Sequence, residues 1–255
     1  MDVPLVGDLK TVLTDLLPMV PEQRHDAWRE QIEEWRSDSQ ERDILAWPDD
    51  GKLYVAHVLR DLWESTAGDA IVTTDVGQHQ MWSAQYYQIK NPNRLITSVG
   101  AGTMGFGLPS AIGTWFANKD KEIWTVVGDG GFQMTQAELT TAIQEGANVK
   151  IALMNNNFLG MVRQWQEFFF EKRYSAVELQ NPDFVKIAEA HGLNARRVTE
   201  PADVLPAIEF ARSTPGPVLI DFRVEKEEAV FPMVPAGADL DQMLRRPNRR
   251  AEVQQ

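Results

Sequence analysis

Residues 122–131 read Glu-Ile-Trp-Thr-Val-Val-Gly-Asp-Gly-Gly, a largely apolar run that ends on an aspartate between glycines. The run predicts a buried strand over 122–127, because short apolar runs rich in β-branched residues are typical of sheets covered on both faces. Glycines on either side of Asp129 let the main chain approach a ligand closely. The stretch therefore predicts a strand with a polar binding turn at its carboxyl end.

Five further runs resemble this one and complete a predicted set of six strands. The predicted strands cover 70–74, 95–99, 122–127, 149–154, 195–198 and 217–224. Stretches with helical spacing of apolar residues separate them, and this alternation is typical of parallel sheets with crossover helices. We expect an α/β fold, with a doubly wound, mostly parallel six-stranded sheet and helices on both of its faces.

Polar segments follow four of the predicted strands directly. They are Asp75–His79, Gly100–Gly105, Gly128–Gly131 and Asn155–Asn157. In open α/β sheets, ligands bind at the carboxyl ends of the strands. The four segments are therefore expected to share one binding edge, and their common position is stronger support for a site than any single motif.

The glycines from Gly100 to Gly105 spell G-x-G-x-x-G, the fingerprint of dinucleotide-binding folds. Asp129 stands 24 residues after Gly105, close to the spacing of the acid that binds the ribose in those folds. However, the helix that follows carries Gly107 and Pro109, and Asp129 lies between glycines. A dinucleotide site is thus the less favoured interpretation of this segment.

Asp129 and Asn156 are candidate ligands for a magnesium ion. A carboxylate and a neutral amide oxygen at the ends of neighbouring strands suit Mg²⁺, which proteins hold with few side chains together with substrate phosphates. The alternative is that Gly-Asp-Gly and the asparagines are merely tight turns. Their joint placement, one helix and one strand apart, favours a metal ion that binds phosphate oxygens.

Composition excludes several classes of protein. The 255 residues contain 25 Lys and Arg against 37 Asp and Glu, a net charge of −12, which argues against a general nucleic-acid binder. Cysteine is absent, so disulfides and thiolate metal sites are excluded. The sequence shows neither a secretory signal nor an apolar stretch long enough to span a bilayer, so we expect no membrane association and a cytoplasmic location.

The segment from Gly-Asp-Gly to Asn-Asn resembles the thiamine diphosphate motif, and four stretches resemble the catalytic subunits of acetohydroxyacid synthase (acetolactate synthase). These stretches are Thr-Asp-Val-Gly-Gln-His-Gln-Met-Trp at 74–82, Met-Gly-Phe-Gly-Leu-Pro at 104–109, Leu-Gly-Met-Val-Arg-Gln-Trp at 159–165 and Phe-Pro-Met-Val-Pro at 231–235. The resemblance implies three regions. Residues 1–50 would be the remnant of a central domain with a helical linker, 51–232 the cofactor-binding domain and 233–255 a carboxy-terminal tail.

The resemblance also implies roles for individual residues. Asp129, Asn156 and the main-chain carbonyl of Phe158 would bind Mg²⁺, while Gly102 and Met104 would contact the aminopyrimidine ring of the cofactor. Trp165 would shape the pocket of the second substrate, and Gln78 would lie beside the reacting groups. The remaining cofactor-binding positions implied are Val76, Gly77, His79, Gly128, Gly130, Gly131, Leu159, Gly160 and Met161.

The function implied is decarboxylation of pyruvate and its condensation with a second 2-oxo acid, pyruvate or 2-oxobutyrate, in branched-chain amino-acid biosynthesis. The family also implies a homodimer or higher homo-oligomer, a regulatory subunit and FAD bound mainly by another domain. No stretch of this sequence matches the family's pyrimidine-binding domain, so we expect this chain alone to be catalytically inert. The alternatives are one chain of a two-subunit thiamine-dependent 2-oxo acid decarboxylase, and a non-catalytic interaction module.

Overall fold

Six strands form one sheet in the computed structural model, which describes residues 2–47 and 50–248. The strands are β1 (Ile71–Thr74), β2 (Leu95–Ile96), β3 (Ile123–Gly128), β4 (Val149–Asn155), β5 (Asn194–Val198) and β6 (Val218–Arg223). They follow the order β2-β1-β3-β4-β6-β5, and every pairing between them is parallel. The predicted α/β class and the six-stranded sheet are confirmed.

The register of the three central strands brings their carboxyl ends to one edge. Thr74 of β1 pairs with Val126 of β3, and Gly128 of β3 pairs with Met154 of β4. Residues that follow β1, β3 and β4 in the sequence therefore meet above the same edge. Three of the four polar segments predicted to share a binding edge follow these strands.

Helices connect the strands and also precede the sheet. Their bounds are α1 (Leu9–Leu16), α2 (Asp26–Arg42), α3 (Val55–Ser65), α4 (Gln78–Tyr86), α5 (Gly107–Ala117), α6 (Asp129–Thr135), α7 (Leu139–Gln144), α8 (Gly160–Phe169), α9 (Phe184–Ala190) and α10 (Val204–Ser213). Short 3₁₀ turns cover Leu17–Met19, Ile44–Ala46, Gln136–Glu138, Pro201–Asp203 and Leu240–Gln242.

Each face of the sheet carries its own hydrophobic core. Trp124 and Val126 of β3 point to the face covered by α3, α4 and α10. Ile123 and Val127, the alternate residues of the same strand, pack with the helices of the opposite face, α5, α6, α7 and α9. Burying each such side chain stabilises the fold by roughly 1.5–3 kcal/mol. The double covering of the sheet is confirmed.

The chain divides into two compact units, of which Trp47–Arg246 holds the whole sheet. The predicted boundary at 232 stays a prediction, although this unit takes in residues 233–246 of the predicted tail, where Met233 pairs with Leu244 in an antiparallel bridge. The other unit contains α1 and α2. Helix α2 ends at Arg42, whose guanidinium bonds Asp38 one turn earlier at 2.8 Å.

No helix among the described residues is both long and apolar enough to cross a membrane.

Candidate functional site

A cleft opens at the carboxyl ends of β1, β3 and β4. Fourteen of the sixteen residues singled out from the sequence line it: Val76, Gly77, Gln78, His79, Met104, Gly128, Asp129, Gly130, Gly131, Asn156, Phe158, Leu159, Gly160 and Met161. The apolar side chains of Val55, Trp82, Met154, Val162 and Val224 complete its walls. The fold thus brings four sequence-distant segments, 76–79, 104, 128–131 and 156–161, into one concave surface.

Asp129 occupies the first position of α6, directly after β3, and is buried. Its Oδ1 accepts the main-chain N–H of Gly130 at 2.9 Å, and its Oδ2 accepts the N–H of Asn157 and the side-chain amide of Asn181, both at 2.7 Å. Burial raises the pKa of this carboxyl to about 6, while the three hydrogen bonds act in the opposite direction. At neutral pH the group is therefore an oriented carboxylate.

Asn156 and Phe158 lie in the loop after β4, opposite Asp129. The main-chain N–H of Phe158 donates to Oδ1 of Asn156 at 3.0 Å, which fixes the amide with its oxygen toward the loop. Asn157 between them turns the chain with φ of +62°. The loop thereby carries an amide oxygen and a main-chain carbonyl next to Asn157, whose N–H bonds the carboxylate of Asp129.

The ligand set of this cleft is one carboxylate with neutral oxygens. Among the described residues, no three His, Asp or Glu side chains gather into a metal-binding group. A single carboxylate is nevertheless the expected donor set for Mg²⁺ when phosphate oxygens supply the rest of its coordination. Gly130 and Gly131 are packed too closely against the protein to carry a side chain: a Cβ on Gly130 would lie 2.6 Å from Leu159, and one on Gly131 would overlap the carboxylate of Asp75. The residues present fit a diphosphate held through a magnesium ion.

His79 faces the cleft from α4 as a neutral ring. Its Nε2 accepts the main-chain N–H of Gly128 at 3.2 Å, so the ring proton is assigned to Nδ1. Burial lowers the pKa of His79 to about 4, and the charge of Asp75 only partly offsets this effect. The family resemblance implies His79 only as a cofactor-binding position, and the structure adds that its ring supports the turn at Gly128.

Asp75, at the end of β1, is a structural residue of the site that the sequence did not single out. Its fully buried carboxylate accepts the main-chain N–H groups of Val76 at 2.8 Å, Gly105 at 3.0 Å and Gly107 at 2.9 Å. These bonds tie the glycine-rich loop to β1. The glycine-rich segment therefore encloses an internal carboxylate.

Gln78 holds a buried acceptor beside Gly160 in the wall of the cleft. Its Nε2 donates to Oε1 of Gln164 at 2.9 Å, and that oxygen is fixed as an acceptor because it also binds the N–H of Val230 at 2.8 Å. Oε1 of Gln78 is buried and has no hydrogen-bond partner within the described part of the chain. An unsatisfied buried acceptor favours a ligand or water with an N–H or O–H group at this point.

Two residues expected in the site lie outside the lining of the cleft. Gly102 is exposed in the loop before α5 with φ of +61°. Trp165 of α8 remains 39% exposed and packs on Phe169, with the ring centroids 4.9 Å apart. Both roles stay predictions.

Asn181 belongs to the site, and reasoning from the sequence missed it. It lies in the loop between α8 and α9, where its amide reaches Asp129 at 2.7 Å and Asn155 at 2.9 Å. The sequence Asn-Pro-Asp at 181–183 is typical of a turn before a helix. Its one distinguishing signal is that the turn before α9 carries a second asparagine-rich polar stretch, Asn-Pro-Asp, after the one at Asn155–Asn157.

The family "Thiamine pyrophosphate enzyme, C-terminal TPP binding domain" matches residues 75–222. This range contains the cleft-lining residues from Val76 to Met161.

Curated relatives match over nearly the whole chain. The chain is 43% identical to the acetolactate synthase large subunit of Corynebacterium glutamicum over 93% of its length, and 41% identical to that of Lactococcus lactis over 95%. It is 40% identical to the mitochondrial acetolactate synthase catalytic subunit of Saccharomyces cerevisiae over 93%. The matched regions make up 39%, 42% and 35% of these proteins, so the chain spans about two fifths of their length.

The family match covers more than half of the chain and coincides with the sheet and the cleft, whereas the dinucleotide interpretation of Gly100–Gly105 has no such support. The chain belongs to the thiamine pyrophosphate enzymes and carries their C-terminal TPP-binding domain.

Proposed function

We propose that these residues are the cofactor-binding part of an acetolactate synthase. The cleft would bind thiamine diphosphate through Mg²⁺, and the substrates would be pyruvate and a second 2-oxo acid, pyruvate or 2-oxobutyrate. The names of the relatives in Corynebacterium, Lactococcus and Saccharomyces support the reaction. The same names favour this function over a two-subunit decarboxylase.

One observation carries the proposal: the carboxylate of Asp129 is oriented by three donors that leave coordination sites of its oxygens open. Because Oδ2 accepts two of these hydrogen bonds and Oδ1 accepts one, Oδ1 keeps a lone pair for a cation. Asn156 and the carbonyl of Phe158, on the loop after β4, would supply the neighbouring oxygens. The diphosphate would complete the coordination of Mg²⁺.

Thiamine diphosphate, when bound, supplies the electron sink that makes loss of CO₂ from a 2-oxo acid possible. The protein's part is to hold and orient. Met104 projects into the cleft and would support the bend of the cofactor, while Gly102 would offer a main-chain hydrogen bond to its aminopyrimidine ring. Trp165, exposed on α8, would contact the second 2-oxo acid.

Further partners belong to the same proposal. We expect a homodimer or higher homo-oligomer, a regulatory subunit, and FAD bound mainly outside these residues. The cytoplasmic location likewise stays a prediction. Each depends on the assignment to acetolactate synthase and on none of the contacts within the cleft.

Calorimetric titration of the purified chain with thiamine diphosphate tests the proposal, with and without Mg²⁺. We expect binding that requires Mg²⁺, and its loss in Asp129→Asn, because an amide is a weaker ligand for a hard cation than a carboxylate. Asp120→Asn is the matched control, since Asp120 is exposed and pairs only loosely with Lys121 at 3.6 Å. Undiminished Mg²⁺-dependent binding by Asp129→Asn would disprove the assigned metal site. Absence of any binding by the wild-type chain would argue for a non-catalytic module.

A further inference from the structure

Asn181 contacts both loops that are proposed to hold the metal. Its Nδ2 donates to Oδ2 of Asp129 at 2.7 Å and to Oδ1 of Asn155 at 2.9 Å, with a longer contact of 3.2 Å to Oδ1 of Asn157. Gln133 of α6 donates to Oδ1 of Asn181 at 2.9 Å, which fixes the amide with its nitrogen toward Asp129. One side chain thus connects the start of α6 with the end of β4 and the loop that follows it.

A ring of side chains holds Asn181 in place from the far side. Asn155 donates to buried Asp221 at 2.8 Å, and Arg197 bonds the other oxygen of Asp221 at 2.9 Å. Arg197 also binds Asp183 at 2.6 Å, and Asp183 stands only two residues after Asn181. The ring therefore closes on the segment that carries Asn181 itself.

The main chain of residues 177–179 also bonds directly to residues 157–159, in the loop that is proposed to hold the metal. The N–H of Leu159 donates to the carbonyl of Val177, and the N–H of Leu179 donates to the carbonyl of Asn157, each at 2.8 Å. Phe158, whose own carbonyl is a proposed metal ligand, pairs there with Glu178 in an antiparallel bridge. Residues 177–183 thus hold both Asp129 and the loop after β4 through hydrogen bonds.

We propose that Asn181 is a positioning residue for the metal, which holds Oδ2 of Asp129 so that Oδ1 faces the ion. The inference rests on the proposed function, since it concerns the same Mg²⁺. Partners that orient metal ligands in this way commonly contribute 10- to 100-fold to metal affinity. Asn181 bonds the proposed metal ligand Asp129 and would not itself coordinate the ion.

A Mg²⁺ titration at fixed thiamine diphosphate, followed by calorimetry, tests this role. In Asn181→Ala we expect the Mg²⁺ concentration at half-saturation to rise about 10-fold, whereas the affinity for thiamine diphosphate at saturating Mg²⁺ stays that of the wild type. Asn118→Ala is the matched control, because the Asn118 side-chain amide donates to the carbonyl of Thr114 at 3.0 Å, away from the cleft. Its Mg²⁺ midpoint should not move.

The outcomes separate the two proposals. An unchanged Mg²⁺ midpoint in Asn181→Ala, with normal binding by the wild type, would overturn the role of Asn181 and leave the proposed function standing. A loss of binding that saturating Mg²⁺ does not restore would also overturn it, since that is the mark of a general structural role. Absence of Mg²⁺-dependent binding by the wild type would refute both proposals. If Asn181→Ala does not fold, Gln133→Met tests the same role, because it removes the hydrogen bond that orients the Asn181 amide. This variant should raise the Mg²⁺ midpoint, and an unchanged Mg²⁺ midpoint would overturn the inference.

Discussion

The main-chain N–H of Gly128 donates a 3.2 Å hydrogen bond to Nε2 of His79, whose ring is buried beside the turn that carries Asp129. A Cβ on Gly128 would lie 2.8 Å from this ring, so the ring leaves no space for a side chain at position 128. The bond needs an unprotonated Nε2. It therefore connects the protonation of His79 to the geometry of the cleft.

Acid should weaken the fold through His79. Burial lowers the pKa of the folded-state imidazole from 6.5 to about 4, so the unfolded chain binds more protons than the folded one between these values. The stabilisation from the neutral ring is complete above pH 6.5 and is lost as the pH falls toward 4. Between pH 7.5 and 4.5 we expect the free energy of unfolding to fall about 2 kcal/mol more in the wild type than in His79→Gln.

Urea unfolding at a series of pH values measures this difference. Other acidic groups titrate in both proteins, and their contributions cancel in the comparison. Parallel pH profiles for the wild type and His79→Gln would contradict the assignment of a neutral buried ring.

Two glycines of α5 should respond in opposite directions to alanine. A Cβ on Gly107 would lie 2.6 Å from Val127 and 3.0 Å from the main-chain nitrogen of Asp75, so Gly107→Ala must displace packed atoms and should cost about 1–3 kcal/mol. Gly113 is exposed in the middle of the same helix with nothing within 4 Å of its Cβ position. Gly113→Ala should therefore stabilise the chain by about 0.5–1 kcal/mol. Thermal unfolding of both variants tests the pair, and equal shifts would disprove the close approach at Gly107.

Strands such as β3 and β4 could be predicted because each is a largely apolar run that alternates with helices. The order β2-β1-β3-β4-β6-β5 could not, since it depends on pairings between distant segments that local pattern does not encode. Helix α6 shows the same limit. Asp129–Thr135 contains Gly130 and Gly131, which disfavour a helix, yet the buried ring of Phe132 packs against Phe184 with centroids 5.6 Å apart and supports it.

The candidate site divides in the same way. Asp129 and Asn156 follow strands directly and could be predicted from position and chemistry. Asn181 and Asp75 could not be assigned their roles, because each acts through a hydrogen bond to a residue far away in the sequence, such as Gly105 for Asp75. Sequence position shows which edge of the sheet a residue reaches, but not which partner it meets there.

The carboxylate of Asp75 should be required for the glycine-rich loop. It accepts three main-chain N–H groups, so Asp75→Asn would direct an amide N–H₂ at one of these donors and leave it unsatisfied. We expect a loss of about 1–3 kcal/mol in the free energy of unfolding. Asp69→Asn is the matched control, because Asp69 precedes β1 and forms a solvent-exposed ion pair with Arg94. It should lower the free energy of unfolding by at most about 1 kcal/mol. Denaturant unfolding decides, and similar losses in both variants would disprove the buried role.

Met104 should contribute to cofactor affinity through its volume. Its side chain lines the cleft, with Cε 3.7 Å from where a Cβ on Gly130 would lie. If the ligand covers this methionine, Met104→Ala should weaken thiamine diphosphate binding at saturating Mg²⁺ by about tenfold, the equivalent of about 1.4 kcal/mol of lost apolar contact. Met104→Leu keeps nearly the same volume and should bind almost as the wild type does.

Met134→Ala is the matched control for this measurement, because Met134 is 60% exposed on α6. Calorimetric titration of the three variants separates two explanations. Weak binding by Met104→Ala alone shows that the cofactor rests on an apolar support, whereas equally weak binding by Met104→Leu shows that the shape of methionine itself is required. Wild-type affinity in Met104→Ala would mean that the ligand does not contact this side chain, and the ring assigned to it would have to bind elsewhere in the cleft.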